Sequence, residues 1–340
     1  MMSIDMAAVR LAALKLEQGK LVAFPTETVY GLGGDAENAA AIADIYAAKG
    51  RPANHPVIVH IAPEADISYW AATVPEQARV LISAFWPGPL TLILKRAAHI
   101  PAAASGGQDS IGVRCPSHPV AQALLRAFKG GKGGVAGPSA NKFGHVSPTT
   151  AQHVRDEFSG DVDSLLDYVL DGGQSEVGIE STILDLSRVD THGVVLLRPG
   201  QITVDQIAAV LGVAPNAPDT AAPRASGTLD AHYAPHTPVA LVTADELPTL
   251  LSQLAAHGYK AALMQRTTLM TVLGDVIVMP IDPEHYAHDL YAGLREMDSR
   301  HADVILVESL PQTADWQGIN DRLRRAAFDS SGILARLLQT

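Results

Sequence analysis

Four cationic side chains from distant parts of the sequence stand at the predicted ends of strands and helices: Lys49, Arg51, Arg114 and Arg198. Ammonium and guanidinium groups bind phosphates and carboxylates through charge-assisted hydrogen bonds, and arginine can offer two parallel donors. Taken singly, an arginine at a strand end is typical of a solvated or salt-bridged surface charge. Together with nearby hydroxyls and glycine turns, the four predict a site for a polyphosphate and a carboxylate.

Short polar motifs at turns would complete this site: residues 25–31 (Pro-Thr-Glu-Thr-Val-Tyr-Gly), 137–141 (Gly-Pro-Ser-Ala-Asn) and 178–183 (Gly-Ile-Glu-Ser-Thr-Ile), with His60 ending a strand. Each is equally compatible with a turn, a helix cap or a hydrogen-bonded core histidine. No nucleophile stands out, since the single cysteine, Cys115, lies in no activating motif and favours a buried structural thiol. The sequence has no His or Cys spacing typical of a protein-held transition metal.

Two glycine patterns resemble nucleotide-binding loops. The pattern G-x-G-x-x-A from Gly31 to Ala36 would suit a dinucleotide, but the preceding strand is broken at Pro25, so the tight strand-to-helix turn is missing. The run Lys129-Gly-Gly-Lys-Gly-Gly134 lacks the G-K-[ST] of a P-loop and favours a mobile surface loop.

Length and composition limit the class of protein. A chain of 340 residues predicts two domains, and no apolar stretch reaches the about 18 residues that a membrane span needs. One cysteine and a leader without secretory features predict a cytoplasmic location and no disulfide. The net charge is −11 and acidic residues prevail on both sides of Gly212, which disfavours bulk electrostatic binding of nucleic acid.

Hydrophobic periodicity predicts an α/β protein. Helices are expected at 3–18, where Ala7, Leu11 and Leu14 share a face, and at 38–49 and 75–85, with strands at 20–24, 57–61, 90–94, 111–114, 165–170, 182–186 and 194–197. Too few helices separate these strands for a purely parallel sheet, so a twisted mixed sheet is expected in a domain covering 1–212. A Pro-rich linker is predicted at 213–238.

The segment 239–340 alternates strands with helices. Strands are expected at 239–242, 261–264, 276–279 and 304–307, and helices at 246–257 and 286–299. This alternation predicts a smaller, doubly wound, Rossmann-like α/β domain.

Seven motifs, in order, resemble those of the YrdC-like threonylcarbamoyl-AMP synthases: Phe24-Pro-Thr-Glu-Thr-Val-Tyr-Gly-Leu-Gly33, Lys49-Gly-Arg-Pro52, Trp86-Pro-Gly-Pro-Leu-Thr91, Val113-Arg-Cys-Pro116, Pro138-Ser-Ala-Asn141, Gly178-Ile-Glu-Ser-Thr-Ile183 and Leu197-Arg-Pro-Gly200. The resemblance spans about residues 10–212. His232-Tyr-Ala-Pro235, followed by an α/β segment, is similar to the long form of the family, which carries an extra C-terminal domain.

The resemblance implies a nucleotidyltransferase that condenses L-threonine, bicarbonate and ATP, with Mg²⁺, into threonylcarbamoyl-AMP and pyrophosphate. A partner transferase complex then modifies an adenosine of tRNA. By position, Lys49 and Arg51 would be catalytic, and no residue would be a metal ligand. The threonine pocket would comprise Thr26, His60, Arg114, Gly137 and Ser181, and the ATP site Lys49, Ala53, Ser110, Ser139, Ser147, Arg198 and Tyr233.

Two other functions are compatible with parts of the sequence. One is a tRNA or double-stranded RNA binding module without chemistry, which would need a local basic groove on an acidic chain. The other is carbamoyl transfer, as in hydrogenase maturation proteins with a related domain, but those carry cysteine zinc fingers that one cysteine cannot form.

Overall fold

A computed structural model describes residues 4–159, 165–228, 230–267 and 275–339. The chain divides into two compact units. The N-terminal unit comprises Met1–Phe143 and Pro148–Thr228, and the C-terminal unit comprises Gly144–Ser147 and Leu229–Thr340. The segment predicted as a linker is therefore shared, with its part up to Thr228 in the N-terminal unit.

The N-terminal unit is built on one nine-stranded sheet with the order β7-β1-β2-β6-β3-β5-β4-β8-β9. Pairs β1/β7, β3/β5 and β4/β8 are parallel and the other neighbours are antiparallel, so the expected mixed sheet is confirmed. The strands are β1 Leu21–Phe24, β2 Gly31–Asp35, β3 Ile58–Ile61, β4 Leu90–Lys95, β5 Ser110–Arg114, β6 Gly134–Ala136, β7 Leu166–Val169, β8 Thr182–Asp185 and β9 Val195–Arg198.

Helices cover both faces of this sheet. Because side chains alternate along a strand, Leu21 and Ala23 of β1 join one core cluster, and Val22 and Phe24 join another. The helices are α1 Met6–Glu17, α2 Ala39–Lys49, α3 Glu76–Phe85, α4 Pro119–Ala127, α5 Ala151–Glu157, α6 Val189–His192 and α7 Val204–Leu211. Helices α1 and α4 contribute to the cluster of Val22, and α2 and α5 contribute to that of Leu21.

The first helix forms as expected but packs through a different face. Val9, Ala12, Ala13 and Leu16 are buried, whereas Leu11 and Leu14 of the predicted apolar face are 43% and 50% exposed. The buried face thus combines two alanines with Val9 and Leu16, which recur at helix spacing of three to four residues.

The C-terminal unit holds a four-stranded sheet, order β10-β13-β11-β12, in which all neighbours are parallel. Its strands are β10 Val239–Val242, β11 Ala261–Gln265, β12 Asp275–Val278 and β13 Val304–Glu308, and its helices are α8 Leu247–Ala256, α9 Pro283–Asp298, α10 Gln317–Ala326 and α11 Ile333–Leu338. The predicted doubly wound α/β domain is thereby confirmed. No helix in the described ranges is both long and apolar enough to cross a membrane.

Candidate active site

Two neighbouring parallel strands place the first predicted residues side by side. In the register of β3 and β5, His60 lies opposite Arg114, and each is 3% exposed. The backbone NH of Gly137 donates to the carbonyl of Ile58 over 2.9 Å, which brings the turn after β6 to the same place. A Cβ at residue 137 would lie 3.0 Å from Nδ1 of His60, so this turn requires glycine for its close approach.

The guanidinium of Arg114 is held from three sides. Its Nη2 lies 2.6 Å from Oε1 of Glu27, its Nη1 donates to Oγ1 of Thr28 over 2.8 Å, and its Nε donates to the carbonyl of Gly88 over 3.3 Å. Thr26 braces this arrangement, because its hydroxyl lies 2.8 Å from that of Thr28. The predicted threonine-pocket residues Thr26, His60, Arg114 and Gly137 are therefore brought together.

His60 is a neutral group in this pocket. Burial, and to a smaller extent the positive charge of Arg114, lower the pKa of its imidazole to about 3. At neutral pH the ring can donate one hydrogen bond to a ligand and accept one, but it adds no charge to the site.

A second group of contacts is centred on Arg198, at the end of β9. Its Nε and Nη2 donate to the carbonyl and the hydroxyl of Ser181 over 3.1 and 3.2 Å, and its Nη1 donates to the carbonyl of Ser226 over 2.8 Å. The hydroxyl of Ser226 accepts from Nη2 of Arg51 over 3.3 Å. The hydroxyl of Thr91 lies 2.8 Å from that of Ser181. Arg51 and Arg198, both predicted to bind phosphate, thus contact the same residue, Ser226.

Lys49 forms a third group with the turn 137–141. It ends α2, is 3% exposed, and its Nζ donates to the carbonyl of Ser139 over 2.6 Å and to the carbonyl of Asn141. Burial and the nearby Arg51 hold the pKa of Lys49 well below its usual range. The same turn therefore connects Lys49 at one end with the Gly137 contact to His60 at the other.

The remaining predicted residues are Ala53, Ser110, Ser147 and Tyr233. Ala53 is exposed after α2, and Ser110 begins β5 opposite Lys95. Within the described ranges, neither makes a hydrogen bond to Arg51, Arg198 or Lys49. Ser147 and Tyr233 belong to the C-terminal unit and are both buried, with Tyr233 at a left-handed φ of 62°.

The other sequence features have structural roles. Cys115 is buried, and burial raises the pKa of its thiol to about 12, so it is no nucleophile at neutral pH. Gly31, Gly33 and Gly34 lie within β2 rather than in a strand-to-helix turn, which rules out the dinucleotide loop. No cluster of three or more metal-ligating side chains occurs in the part of the chain that the structure describes.

The run from Lys129 to Gly134 was expected to be a mobile surface loop, but it is anchored at its first residue. The Nζ of Lys129 lies 2.7 Å from Asp35 and 3.1 Å from Glu37, and its backbone NH donates to Glu17 over 3.0 Å. Three points of attachment on α1, on β2 and just after β2 fix the start of the run.

Four contacting residues received no role from the sequence: Glu27, Thr28, Thr91 and Ser226. The first two stand in the Pro-Thr-Glu-Thr motif beside Thr26, and Thr91 ends the Trp-Pro-Gly-Pro-Leu-Thr motif, so each carried a signal that it belongs to a functional turn. Ser226 lies in the Pro-rich segment and carried no such signal.

Comparison with known proteins assigns the fold and the family. A family model described as telomere recombination, for the Sua5, YciO and YrdC proteins, matches residues 15–200. A second, described as the C-terminal domain of threonylcarbamoyl-AMP synthase, matches residues 202–328. The threonylcarbamoyl-AMP synthase of Pyrococcus abyssi is 36% identical over 336 residues, covering 94% of each chain, and that of Bacillus subtilis is 37% identical over 329 residues, covering 93% of this chain and 92% of the relative.

A solved structure agrees with these sequence matches. The crystal structure of P. abyssi Sua5 complexed with L-threonine superposes with a TM-score of 0.87 at 34% identity and covers 96% of both chains. Fold and site together define a two-domain protein of the Sua5–YciO–YrdC class. Within that class, the chain belongs to the threonylcarbamoyl-AMP synthase family, as its motifs indicated, and it is therefore an enzyme rather than a binding module without chemistry.

Proposed function

We propose that the chain is a nucleotidyltransferase that condenses L-threonine, bicarbonate and ATP into L-threonylcarbamoyl-AMP and pyrophosphate. The observation that carries this proposal is the buried cluster of Thr26, His60, Arg114 and Gly137, with Lys49, Arg51 and Arg198 also buried in the same unit. The relative that superposes over 96% of the chain is described as complexed with L-threonine, which supports threonine as the amino acid.

Each cationic group suits one part of the reaction. Arg114 would bind the amino-acid carboxylate, and Thr26, His60, Gly137 and Ser181 would complete the threonine pocket. Lys49, Arg51 and Arg198 suit the phosphates, because guanidinium and ammonium donors stabilise the charge that builds up on a transferring phosphoryl group. We assign Ala53, Ser110, Ser139, Ser147 and Tyr233 to the nucleotide from the family motifs.

The chemistry needs positioning rather than a covalent enzyme group. Threonine carbamate, formed from the amine and carbon dioxide or bicarbonate, attacks the α-phosphorus in line and pyrophosphate leaves. Two anions must therefore be held together against their repulsion, which buried positive charge achieves. Removing one well-placed donor from such a site typically lowers turnover by about 10²–10³-fold.

Magnesium enters this scheme as part of the nucleotide substrate. The ion would be held by the triphosphate oxygens of ATP. We expect a tRNA threonylcarbamoyl-transferase complex to consume the adenylate. A reducing cytoplasm would suit a chain with one buried cysteine.

The test is pyrophosphate release from Mg·ATP while threonine and bicarbonate are omitted in turn. Release that needs both is the expected result. Release that is independent of threonine, or that proceeds equally with bicarbonate rigorously removed, would contradict the proposal.

A further inference from the structure

The buried ion pair between Glu27 and Arg114 is incompletely hydrogen-bonded. The side chains of Glu27 and Arg114 are 2% and 4% exposed, and Oε1 lies 2.6 Å from Nη2. Within the described part of the chain, the two carboxylate oxygens of Glu27 make no hydrogen bond of normal geometry. The same is true of Nη2 of Arg114. Buried polar groups are nearly always satisfied in native proteins, so this pair calls for a ligand.

The geometry of the guanidinium shows which groups remain available. Nε and Nη1 of Arg114 are used by the carbonyl of Gly88 and the hydroxyl of Thr28, which fixes the plane of the guanidinium. Nη2 points toward Glu27, where a buried donor and a buried anionic acceptor lie next to each other. An α-amino acid zwitterion is complementary to this pair, since its carboxylate matches Nη2 and its ammonium matches the Glu27 carboxylate.

We propose that Glu27 binds the α-ammonium of the amino-acid substrate and accepts the proton that this group must lose before it can react. The inference deepens the proposed function and rests on it. Threonine ammonium transfers one proton to the Glu27 carboxylate, which gives the free amine and a carboxylic acid. The nitrogen lone pair then forms the N–C bond to carbon dioxide, the second N–H proton leaves to solvent, and the carbamate anion results. Glu27 returns its proton to solvent at the end of the cycle.

The neighbouring titratable groups leave this role to Glu27. His60, beside Arg114, is a poor proton acceptor because burial and Arg114 lower its pKa to about 3. Cys115 follows Arg114 on the same strand, and burial raises its pKa to about 12. His118 caps α4, and burial lowers its pKa, although the negative charge of Glu27 raises it slightly.

The decisive experiment pairs the variant Glu27→Gln with two ligands. L-Threonine and 3-hydroxybutanoate share the carbon chain, the hydroxyl and the carboxylate, but only threonine has the amino group. Calorimetry at neutral pH should show threonine affinity reduced about 10–100-fold in E27Q, the range for a hydrogen bond to a charged group, with 3-hydroxybutanoate affinity unchanged or higher. Asp35→Asn removes a comparably buried carboxylate, 7% exposed and paired with Lys129, and should leave the affinity for both ligands unchanged.

The chemical step gives an independent readout. At saturating threonine, E27Q should release pyrophosphate slowly at neutral pH and recover toward the wild-type rate as rising pH supplies the free amine. Equal losses of affinity for both ligands would mean that Glu27 only holds Arg114 in place, and that result overturns the inference, as does a neutral-pH rate equal to wild type.

Measurements on wild type separate a failure of the Glu27 inference from a failure of the proposed function. If E27Q fails to fold, the wild-type protein still decides, because it must bind threonine at least about tenfold more tightly than 3-hydroxybutanoate, and equal binding overturns the role of Glu27. If wild type shows this preference but releases no pyrophosphate with threonine, bicarbonate and ATP, the proposed function fails while the ammonium site stands.

Discussion

Three buried cations of the site donate to different kinds of acceptor. Arg114 faces the carboxylate of Glu27, Lys49 donates to two backbone carbonyls, and Arg198 donates to two backbone carbonyls and a hydroxyl. Arg114 has a charge partner, which suits the recognition of a zwitterion.

The first prediction separates these roles by substitution. Arg114→Ala should raise KM for threonine with little change in KM for ATP, whereas Lys49→Ala should lower the pyrophosphate-forming rate by about 10²–10³-fold at saturating threonine. Arg126→Ala removes an exposed arginine paired with Glu64 and should leave both constants unchanged. Wild-type kinetics in both variants would contradict the assignment of Arg114 to threonine and of Lys49 to pyrophosphate formation. Steady-state kinetics on protein of verified folding measures these effects.

The second prediction concerns His60 and acid. In the unfolded protein His60 has its ordinary pKa of 6.5, whereas in the folded protein its pKa is about 3. Between these values, the unfolded state binds a proton at His60 that the folded state does not bind. The contribution of His60 to stability is therefore present above 6.5 and is lost as the pH falls through this window, at about 1.4 kcal/mol per pH unit.

Urea unfolding of wild type and His60→Asn between neutral pH and about pH 4 measures this linkage. The free energy of unfolding of wild type should fall more steeply with acidity than that of the variant. Parallel curves would show that His60 is not held neutral by the fold.

Among the elements, the glycine-rich strand β2 explains the pattern that resembled a dinucleotide loop. A Cβ at Gly33 would lie 2.9 Å from both Cγ1 of Val135 and the carbonyl oxygen of Val22, so the neighbouring strands leave no room for a side chain. For a Cβ at the neighbouring Gly34, the nearest atoms would be the side-chain tips of Ile45 and Leu21 and the carbonyl oxygen of Ala41, at 3.1 Å or more. The glycines thus permit close packing in the sheet.

The third prediction follows from that contrast. Gly33→Ala should lower the free energy of unfolding by about 1–3 kcal/mol, as overpacking typically does, because backbone and Val135 must shift. Gly34→Ala is the matched control on the same strand and should cost clearly less, since flexible side-chain tips can move. Chemical denaturation measures both, and equal costs would show that packing at Gly33 is not the reason for the glycine.

The side chain of Gln108 holds the segment before Thr228 through two hydrogen bonds to the backbone of Arg224. The carboxamide of Gln108 accepts from the NH of Arg224 over 2.8 Å and donates to its carbonyl over 3.1 Å. These paired bonds hold the residues that lead to Ser226 and its two arginine contacts.

The fourth prediction uses trypsin, which cleaves after the exposed Arg224. Gln108→Ala removes two hydrogen bonds worth about 1 kcal/mol each, so local opening and cleavage should become about 5–30-fold faster. Gln152→Ala, which removes a single exposed contact to Asp156, should leave the cleavage rate unchanged. Unchanged cleavage in the Gln108 variant would show that these bonds do not hold the segment.

Element prediction from sequence succeeded at short apolar runs such as β3 and β4, and at α2, where Ile42, Ile45 and Tyr46 fall at helix spacing. The strand prediction missed β2 and β6. Both missed strands contain glycine, which is depleted in strands, and only their neighbours in the sheet make them extended. At the site, the cationic residues were identifiable because four of them occur together with hydroxyls and glycine turns in motifs that resemble those of a known family. Partners such as Ser226 depend on long-range packing, which no local pattern encodes.

At the scale of the whole molecule, net charge and local charge have opposite signs. The chain carries −11, yet the residues expected to meet the substrates are lysine and arginine. A polyanion such as RNA would be repelled by most of the surface, whereas a nucleotide and an amino acid are small enough to meet only the local cations. The acidic surface therefore favours small-molecule chemistry over nucleic-acid binding as the main activity.

The fate of the carbon of ¹³C-bicarbonate shows whether this site joins threonine carbamate to a nucleotide. The protein is incubated with Mg·ATP, L-threonine and the labelled bicarbonate, and the adenylate product is analysed by mass spectrometry. The account predicts one adenylate that contains threonine and one labelled carbon, formed together with pyrophosphate. An adenylate of threonine without the label, or no adenylate at all, would contradict it.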